Sequence, residues 1–280
     1  MKKLFFAALL GLVTSLALGF DYIRNSNTGL PLKWPEGPIT VLIMLGTSQT
    51  LSDGSNFSTS AQAAMQIWNT QIGGSQFLGQ IQPVGPADNG NRVNEMVFAS
   101  TVFGTAFDSS TLAVATTFRR GNERTESDVI FNSGRTWDSF RGPTRSGISE
   151  IQRVAIHELG HVLGLDHPDE ATPVQNVSAI MNSRISSIET LTSDDIAGGQ
   201  SLYGPPGIPA NDNFANATTI SLTSNPVQLS GFNTRSTKEV GEPNHADNAG
   251  GHSVWWRFTA PSNGNVAIAR FGWSGGVVPA

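Results

Sequence analysis

The sequence contains no cysteine among its 280 residues. The chain can therefore form no disulfide bond, carry no lipid through a cysteine, and offer no thiolate ligand to a metal ion. Any metal site has to be built from histidine nitrogens or from oxygen ligands, and an exported form would fold without covalent cross-links.

Charged residues are also scarce. They make up 14% of the chain, the formal net charge is −5, and no cluster of Lys or Arg stands out beyond the N-terminus. Such a chain lacks the basic surface that nucleic acids and anionic membranes attract. The hydrophobic content of 38% is typical of a globular protein with one large domain or two of moderate size. We expect a monomer with no nucleic-acid or membrane partner.

The N-terminal hydrophobic run is shorter than a transmembrane helix usually needs. It covers residues 4–18, follows Lys2 and Lys3, and ends in the small residues of Ala17-Leu18-Gly19. A basic start, a short apolar stretch and small residues at its end are the features of a secretory signal peptide. We therefore predict a signal peptide over residues 1–19, cleavage between Gly19 and Phe20, and a secreted, extracellular protein. An uncleaved anchor is the alternative.

Four strands and a helix are indicated before the middle of the chain. A nearly unbroken apolar run at residues 39–46 predicts a strand buried on both faces, and residues 94–100, 111–118 and 127–132 predict three more. Apolar residues at helical spacing predict a first helix over residues 58–69, which starts with a capping box of Thr59 and Gln62. Strands and helices mixed in this way indicate an α+β domain over residues 20–204.

Two more helices belong to this domain. The second begins near Ser149, and the third begins at the N-cap Thr192 and ends at Gly204, where a left-handed C-cap is expected. The residues expected to face inward are Ile151, Ala155, Leu159 and Val162 of the second helix and Ile196, Gly199, Leu202 and Tyr203 of the third.

The composition changes after a Pro-rich linker over residues 205–212. From residue 213 onward, short alternating runs rich in Thr, Ser, Asn and Gly predict an all-β unit. It has only about 70 residues, whereas a β-sandwich usually needs about 100. We therefore predict an incomplete β-sandwich accessory domain over residues 213–280.

Two pairs of residues in this accessory domain are candidates for a binding role. Trp255 and Trp256 are adjacent, so in a strand one belongs to the core and the other faces outward, where it could form a binding platform. His245 and His252 lie in an Asn- and Gly-rich stretch near Asp247. We interpret them as solvated loop histidines rather than as a metal site.

The segment HELGHVLGLDH, residues 157–167, holds three of the five histidines. On a helix, His157 and His161 share one face and are separated by a rise of about 6 Å, so both can reach one zinc ion. A continued helix would carry His167 about 15 Å along the axis and point it elsewhere. Gly164 lets the helix end and the chain fold back, because glycine adopts positive φ at little cost.

Three neutral nitrogens leave one zinc position open for water, which is the mark of a catalytic rather than a structural site. Glu158 is next to the first ligand and could act on that water as general base. A structural site would normally need a further Cys or His, and residues 20–204 contain no other histidine. The sequence therefore indicates a hydrolase with the zinc ligands His157, His161 and His167 and the catalytic residue Glu158.

This segment resembles the zinc-binding motif of the metzincin metalloproteases, and within them the matrixins. It is followed by SAIMN, whose Met181 matches the family's Met-turn, and by LTSDDIAGGQSLYG, which is similar to the matrixin C-terminal helix. The resemblance covers residues 39–204. It implies a twisted mixed sheet plus three helices, one catalytic zinc, and a secreted zinc-dependent metalloendopeptidase that acts on protein or peptide substrates.

The stretch TLAVATTF resembles the matrixin edge strand, along which a substrate backbone pairs in antiparallel fashion. The resemblance implies that Leu112 and Ala113 lie beside the bound peptide and that the substrate extends the sheet. An ordinary half-buried strand is the alternative for these residues.

The sequence also departs from the family. Many animal matrixins have structural-zinc histidines where this chain has Val114 and Ile130, and calcium-binding carboxylates where it has Asn132 and Arg135. A cation is a poor neighbour for calcium. We therefore expect a single zinc ion, with neither a structural zinc nor calcium at these positions.

Activation is a second departure. Animal matrixins hold a propeptide cysteine on the zinc ion, and this chain has no cysteine. We expect export without a latent form of that kind. By the same resemblance, the ammonium group of Phe20, freed by cleavage of the signal peptide, is expected to pair with Asp194.

Two other functions stay open. A secreted surface-binding or adhesive protein could keep a metzincin domain as a non-catalytic scaffold, although such a protein has no need of Glu158. A metal-dependent hydrolase of non-peptide substrates would keep the zinc ion without needing an edge strand for its substrate. Comparing cleavage of peptides with cleavage of esters separates this last possibility from a protease.

Overall fold

The computed structural model describes residues 19–222, 227, 229, 233, 235–244 and 250–260. Most of the expected signal peptide, His245, Asp247 and the end of the accessory domain lie outside the described residues. The helices are α1 (Phe57–Asn69), α2 (Ile151–Leu163) and α3 (Ser193–Tyr203), with short 3₁₀ helices at Pro168–Glu170 and Phe214–Asn216. No helix in the described part of the chain is long and apolar enough to cross a membrane.

A five-stranded mixed sheet lies behind the helices. Its strands are β1 (Gly37–Ile43), β2 (Ser75–Ile81), β3 (Asn94–Ala99), β4 (Ala113–Ala115) and β5 (Val129–Asn132). The spatial order is β2-β1-β3-β5-β4, and all neighbours are parallel except β4, which runs antiparallel to β5. This arrangement confirms the predicted α+β class and leaves β4 at one edge of the sheet.

The strand β1 alternates between buried and half-buried residues. Val41 and Ile43 are buried beneath the helices, whereas Thr40 and Leu42 on the other face are half-buried. The prediction of a strand buried on both faces is therefore wrong, because the second face of the sheet is covered by loops rather than by helices. Strand β2 was not predicted.

The helix α1 begins earlier than its sequence suggested. Asn56 is the N-cap: its side chain accepts the Thr59 backbone N–H, and the Thr59 hydroxyl accepts the Asn56 N–H in return. The predicted capping box of Thr59 and Gln62 is thus wrong, and the Gln62 amide instead donates to the carbonyl of Gly79. Both boxes satisfy helix N-terminal N–H groups, but the Asn56 side chain does so three residues upstream.

The helix α2 is fixed at both ends. At its start the Glu150 carboxylate accepts the backbone N–H groups of Gln152 and Arg153. At its end the Trp34 indole donates to the Val162 carbonyl at 2.7 Å, and the Tyr203 hydroxyl donates to the Leu163 carbonyl. These two side chains donate hydrogen bonds to backbone carbonyls at the helix end, which have no partner within the helix.

The helix α3 begins at Thr192, as predicted, with Asp195 completing its capping box. Gly204 follows the helix at φ 72° and ψ 167°, so its φ is positive but the residue does not have the expected left-handed helical conformation. Of the four residues predicted to face inward, Gly199, Leu202 and Tyr203 are buried, and Ile196 packs against the core from a half-buried position.

The main core lies between the sheet and the helices α1 and α2. Its largest members include Trp68, Phe77, Phe131 and Met65, each at most 1% exposed. The predicted inward face of α2 is entirely buried there. A smaller cluster of Met44, Val97 and Ile130 lies under the loops on the other face of the sheet.

Short strands complete the fold. The N-terminal strand Asp21–Tyr22 pairs antiparallel with Leu165–Asp166, directly before His167. The remaining short strands are Thr101–Val102, Thr105–Ala106, Phe118–Arg120, Glu123–Glu126, Trp137–Asp138, Ser149–Glu150, Thr218–Thr219 and Trp256–Arg257.

The described part of the accessory segment contains one small strand pair, Thr218–Thr219 with Trp256–Arg257, which run parallel. Trp255 packs edge-on against Phe214, with ring centroids 5.1 Å apart, whereas Trp256 is 37% exposed. Trp255 is thus half-buried rather than a core residue as predicted, and it directly precedes the strand that Trp256 begins. His252 is exposed, and its Nδ1 lies within hydrogen-bond distance of the Ser236 carbonyl.

Candidate metal centre

The helix α2 presents His157 and His161 on one face. Their Nε2 atoms are 3.1 Å apart and their ring centroids 4.7 Å apart. This spacing follows from the separation of four residues, which returns the side chain to the same side of a helix after one turn.

Gly164 ends the helix in the left-handed conformation, at φ 116° and ψ 7°. A Cβ atom at this position would come within 2.3 Å of the Leu32 carbonyl oxygen, so both conformation and space require glycine. The chain then turns back and brings the Nε2 atom of His167 to 3.0 Å from that of His161 and 3.2 Å from that of His157. The three histidines predicted as ligands are thus brought together.

The other ring nitrogen of each histidine faces a hydrogen-bond acceptor. The Nδ1 atoms of His157 and His161 lie 2.8 and 2.9 Å from the backbone carbonyls of Ile180 and Leu165. The Nδ1 atom of His167 lies 3.0 Å from a carboxylate oxygen of Glu170. Because carbonyls and ionised carboxylates only accept, each Nδ1 donates to its partner, and Nε2 is the nitrogen of each ring that can face a metal ion.

This arrangement fits a zinc ion. Burial lowers the pKa of His157 to about 4 and that of His161 well below its ordinary value, so both rings are neutral near pH 7. Three Nε2 lone pairs would repel one another at 3.0–3.2 Å, whereas a cation between them would be bound by all three. These separations match nitrogen ligands about 2.0–2.1 Å from one ion. Among the described residues, these three form the group of side chains able to hold a metal ion.

Glu158 is buried beside the first histidine, with 5% of its surface exposed. Burial raises the pKa of its carboxyl group to about 8, although a hydrogen bond from the Ala115 backbone N–H acts in the opposite direction. Ala115 ends the edge strand β4. A divalent cation at the three nitrogens would lower this pKa again, since a nearby positive charge favours the carboxylate.

Met181 lies under the histidines. A Cβ atom at Gly160, between the first two ligands on α2, would be 2.2 Å from its sulfur. The turn around Met181 is fixed by Asp195 of α3, whose carboxylate oxygens accept the N–H groups of Ile180 and Met181 at 3.1 and 3.2 Å. The Ile180 carbonyl in turn accepts a hydrogen bond from His157. Asp195 therefore positions His157 through one residue, Ile180.

Sequence reasoning missed two side chains near the third ligand. Glu170 contacts His167, and Asp169 accepts both the backbone N–H and the hydroxyl of Ser183 at 2.8 Å. The second contact joins the segment after His167 to the segment after Met181. The acidic pair after Pro168 was the available signal, but only the turn of the chain decides what those side chains reach.

The predicted substrate residues lie at the edge of the sheet. Ala113 begins β4 and is 8% exposed, and Leu112 is half-buried against the main core. In the described part of the chain, β4 pairs with β5 on one side only. Its other edge faces the same side as Glu158, because the Ala115 N–H reaches that carboxylate.

The positions that depart from the family pattern have other contacts. Val114 and Ile130 are directly opposite each other in neighbouring strands and form an apolar pair. Asn132 donates to the Thr111 carbonyl at 3.1 Å, and Arg135 donates to the carbonyl of Ser109. The side-chain N–H groups of these two residues thus bind carbonyls of the segment before β4.

The segment around Phe20 packs against α3. The Gly19 backbone N–H donates to the Asp194 carboxylate, and a Cβ atom at Gly198 would be 3.0 Å from the Phe20 side chain. Asp194 therefore contacts Gly19, the residue directly before the expected new N-terminus at Phe20. The ion pair between Phe20 and Asp194 stays a prediction, since it needs the cleaved chain.

The comparisons with known proteins all point to one protein family. The family model described as Matrixin matches residues 33–204. Matrix metalloproteinase-16 of Rattus norvegicus is 39% identical over 83 residues, which are 28% of this chain and 12% of that protein. Metalloendoproteinase 1-MMP of Arabidopsis thaliana is 33% identical over 105 residues, or 36% and 27% of the two chains. Macrophage metalloelastase of Oryctolagus cuniculus is 36% identical over 118 residues, or 40% and 23%. The aligned parts thus cover less than a third of each relative.

Proposed function

The chain belongs to the matrixin family, and on that premise we propose that it is a secreted zinc metalloendopeptidase acting on protein or peptide substrates. The observation that carries this proposal is the convergence of three Nε2 atoms at 3.0–3.2 Å, each on a ring whose Nδ1 has an acceptor. His157, His161 and His167 would hold one zinc ion. When bound, zinc supplies a Lewis acid that polarises the scissile carbonyl and lowers the pKa of water.

We propose Glu158 as the general base. Its carboxylate would take a proton from the attacking water and deliver it to the leaving amine, because it is next to a zinc ligand in sequence and buried away from bulk solvent. The hydrogen bond from the Ala115 N–H keeps the carboxylate against the edge strand, where the scissile bond would lie. Met181 would support the ligands from below, through its contact with Gly160.

The substrate would lie along the open edge of β4, beside Leu112 and Ala113. An extended peptide placed there in antiparallel fashion would exchange backbone hydrogen bonds with the strand and continue the sheet past Glu158. This geometry favours a peptide substrate over a small ester, because a small ester has no extended backbone to form hydrogen bonds with the edge of β4. Methylating the peptide nitrogens that pair with β4 is expected to lower kcat/KM for cleavage.

We further propose a single metal ion. The apolar pair of Val114 and Ile130 offers no nitrogen ligand, and the turn at Asn132 and Arg135 is held by side-chain N–H donors. Zinc at the first pair and calcium at the turn would both lack suitable ligands.

The test is cleavage of a quenched fluorescent peptide library by residues 20–280, compared with the variant Glu158→Ala. We expect cleavage by the unaltered protein, a loss of at least about a hundredfold in the variant, and one zinc per chain in both by elemental analysis. Zinc binding without cleavage by the unaltered protein would favour a non-catalytic, surface-binding role. Two zinc ions per chain would contradict the proposed metal content.

A further inference from the structure

The open edge beside Glu158 is longer than β4 itself. Beyond β4 the chain continues as the strand Phe118–Arg120, which pairs antiparallel with Glu123–Glu126, the strand that leads towards β5. Because β4 also pairs antiparallel with β5, these four strands form one long hairpin. Among the described residues, no strand pairs with the outer side of the arm that covers residues 113–120. The edge proposed to bind the substrate therefore extends as far as Arg120.

This extension lies on the N-terminal side of a bound peptide. In the proposed function the Ala115 N–H, which contacts Glu158, marks the place of the scissile bond. Since a strand rises by about 3.4 Å per residue, Arg119 and Arg120 lie about 14–17 Å further along the edge. A peptide that runs antiparallel to this arm has its N-terminal part beside them. The two arginines can therefore contact residues upstream of the cleaved bond, but not the bond itself.

Both arginines are exposed, and neither forms an ion pair within the described part of the chain. Arg119 donates from Nη1 to the Gly121 carbonyl at 3.0 Å, within the turn of its own hairpin. Glu123 is opposite Arg120 in the strand register but is not ion-paired with it. The far end of the edge thus presents two solvated guanidinium groups, whose N–H donors match the oxygens of a carboxylate.

The nearest buried acid of the hairpin is turned towards another segment. Glu126 is opposite Phe118, but it is only 1% exposed, and its two carboxylate oxygens accept the backbone N–H groups of Gly90 and Arg92. These contacts also bring Arg92 to this end of the edge. Arg92 is a third exposed arginine that has no ion pair with a described residue. The exposed charge at this end is therefore mainly positive.

We propose that the far end of this edge binds an acidic segment of the substrate, and that Arg119 and Arg120 select peptides with Glu or Asp about three to six residues N-terminal to the cleaved bond. The inference rests on the proposed function. Neighbouring residues of a strand face opposite sides, so two consecutive acids of the peptide would each meet one of the arginines. Opposite charges on paired strands stabilise the pairing, and like charges weaken it.

The first measurement compares peptides that differ only in one pair of adjacent residues, Glu-Glu, Gln-Gln or Lys-Lys, moved stepwise through the residues N-terminal to the cleaved bond. The peptides share the sequence of one that the unaltered protein cleaves, or an alanine-based sequence if none is cleaved. Where the pair reaches Arg119 and Arg120, we expect kcat/KM for Glu-Glu to be about three- to tenfold higher than for Gln-Gln, with Lys-Lys lowest. The difference should fall below about twofold in about 1 M salt, because salt screens exposed charges.

Reversing the charge on the protein distinguishes recognition from an effect on folding. The double variant Arg119→Gln/Arg120→Gln is expected to abolish the difference between the Glu-Glu and Gln-Gln peptides. The double variant Arg119→Glu/Arg120→Glu is expected to make Lys-Lys the best substrate of the three. A damaged fold would lower cleavage of all three peptides and could not invert their order. Arg257→Gln, which removes an exposed arginine of the accessory segment, is the matched control and should keep the preference for Glu-Glu.

Binding of the same peptides to the Glu158→Ala protein, measured by fluorescence anisotropy, separates this inference from the proposed function. If no peptide is cleaved, tighter binding of Glu-Glu than of Lys-Lys, inverted by Arg119→Glu/Arg120→Glu, still supports recognition of acidic segments, and equal binding of the three overturns it. Equal kcat/KM for the three peptides at every position, or a preference for Glu-Glu that survives in Arg119→Gln/Arg120→Gln, would overturn the inference while leaving the protease intact.

Discussion

The three imidazoles proposed to bind zinc differ in the groups that accept their Nδ1 hydrogen bonds. The Nδ1 atoms of His157 and His161 face backbone carbonyls, which the surrounding fold fixes in place. His167 instead faces the side chain of Glu170, of which 64% is exposed. An exposed side chain is more mobile than a buried carbonyl, so the orientation of the third ligand depends most on a single removable group.

Replacing Glu170 by glutamine is therefore expected to weaken zinc binding by about tenfold or more, since the neutral amide orients and polarises the His167 ring less than a carboxylate does. Competition with a fluorescent zinc chelator measures this affinity directly, without reference to activity.

Glu36→Gln is the control, because it removes the same charge from an exposed position elsewhere. An unchanged zinc affinity in Glu170→Gln would show that the contact at 3.0 Å does not orient His167.

At this scale the sequence predicted the grouping of the three histidines, because a spacing of four residues and a glycine hinge are properties of the local chain. The sequence did not predict the hydrogen bonds that Glu170, Asp169 and Asp195 make around these histidines. Their partners belong to the turns around residues 167–170 and 179–183, whose conformations depend on the folded domain rather than on neighbouring residues.

The helix α2 is the element that carries the centre, and its C-terminal end is held by distant side chains. The buried Tyr203 hydroxyl donates to the Leu163 carbonyl and accepts the Trp34 backbone N–H at 3.1 Å. One oxygen atom thus connects the end of α2, the end of α3 and the segment before β1.

Tyr203→Phe is expected to lower the free energy of unfolding by about 1–3 kcal/mol, because it leaves a buried carbonyl and a buried N–H without a partner. Urea titration of both proteins measures the difference.

The other tyrosine of the chain provides the matched control. The Tyr22 hydroxyl makes one exposed hydrogen bond, to Ser201, and Tyr22→Phe should change the stability by no more than about 0.5 kcal/mol. Equal losses in the two variants would contradict a special role for Tyr203.

Elements with strong local patterns were predictable. The three helices and four of the five sheet strands have long periodic runs or clear ends. Strand β2 was missed because SQFLGQI combines polar residues, a glycine and a short apolar stretch at a sheet edge. The two-residue strands carry no pattern at all, and they form only because the fold brings their partners together.

Over the whole molecule, the most unusual electrostatic feature is a group of buried acids on the loop-covered side of the sheet. Glu95, Glu126 and Asp128 are 7%, 1% and 0% exposed, and no lysine or arginine pairs with them in the described part of the chain. Burial, together with the charges of the two glutamates, raises the pKa of Asp128 to about 7.

This shift makes stability depend on pH. The Asp128 carboxyl has an ordinary pKa of 3.8 in the unfolded chain and about 7 in the folded protein. Between these values the folded state binds the proton and the unfolded state does not. The contribution of Asp128 to stability is therefore greatest at low pH and is lost as the pH rises through 7.

We expect Asp128→Asn to remove this dependence. Relative to the variant, the unaltered protein should lose up to about 1.4 kcal/mol of unfolding free energy per pH unit between about pH 5 and pH 7. Urea titrations of both proteins across this range measure the difference, and effects of the other titrating groups cancel. Parallel curves for the two proteins would contradict the raised pKa.

The hydrogen bond from Trp34 to Tyr203 spans 169 residues, and the strand Asp21–Tyr22 pairs with Leu165–Asp166 beside the third ligand. The end of α2 and the turn that leads to His167 are thus held by the first and last segments of the domain. A nascent chain that has produced all three histidines still lacks Tyr203, and a fragment cut from the finished protein lacks one end or the other. Topology therefore delays complete assembly of the proposed metal centre until the chain has been synthesised as far as Tyr203.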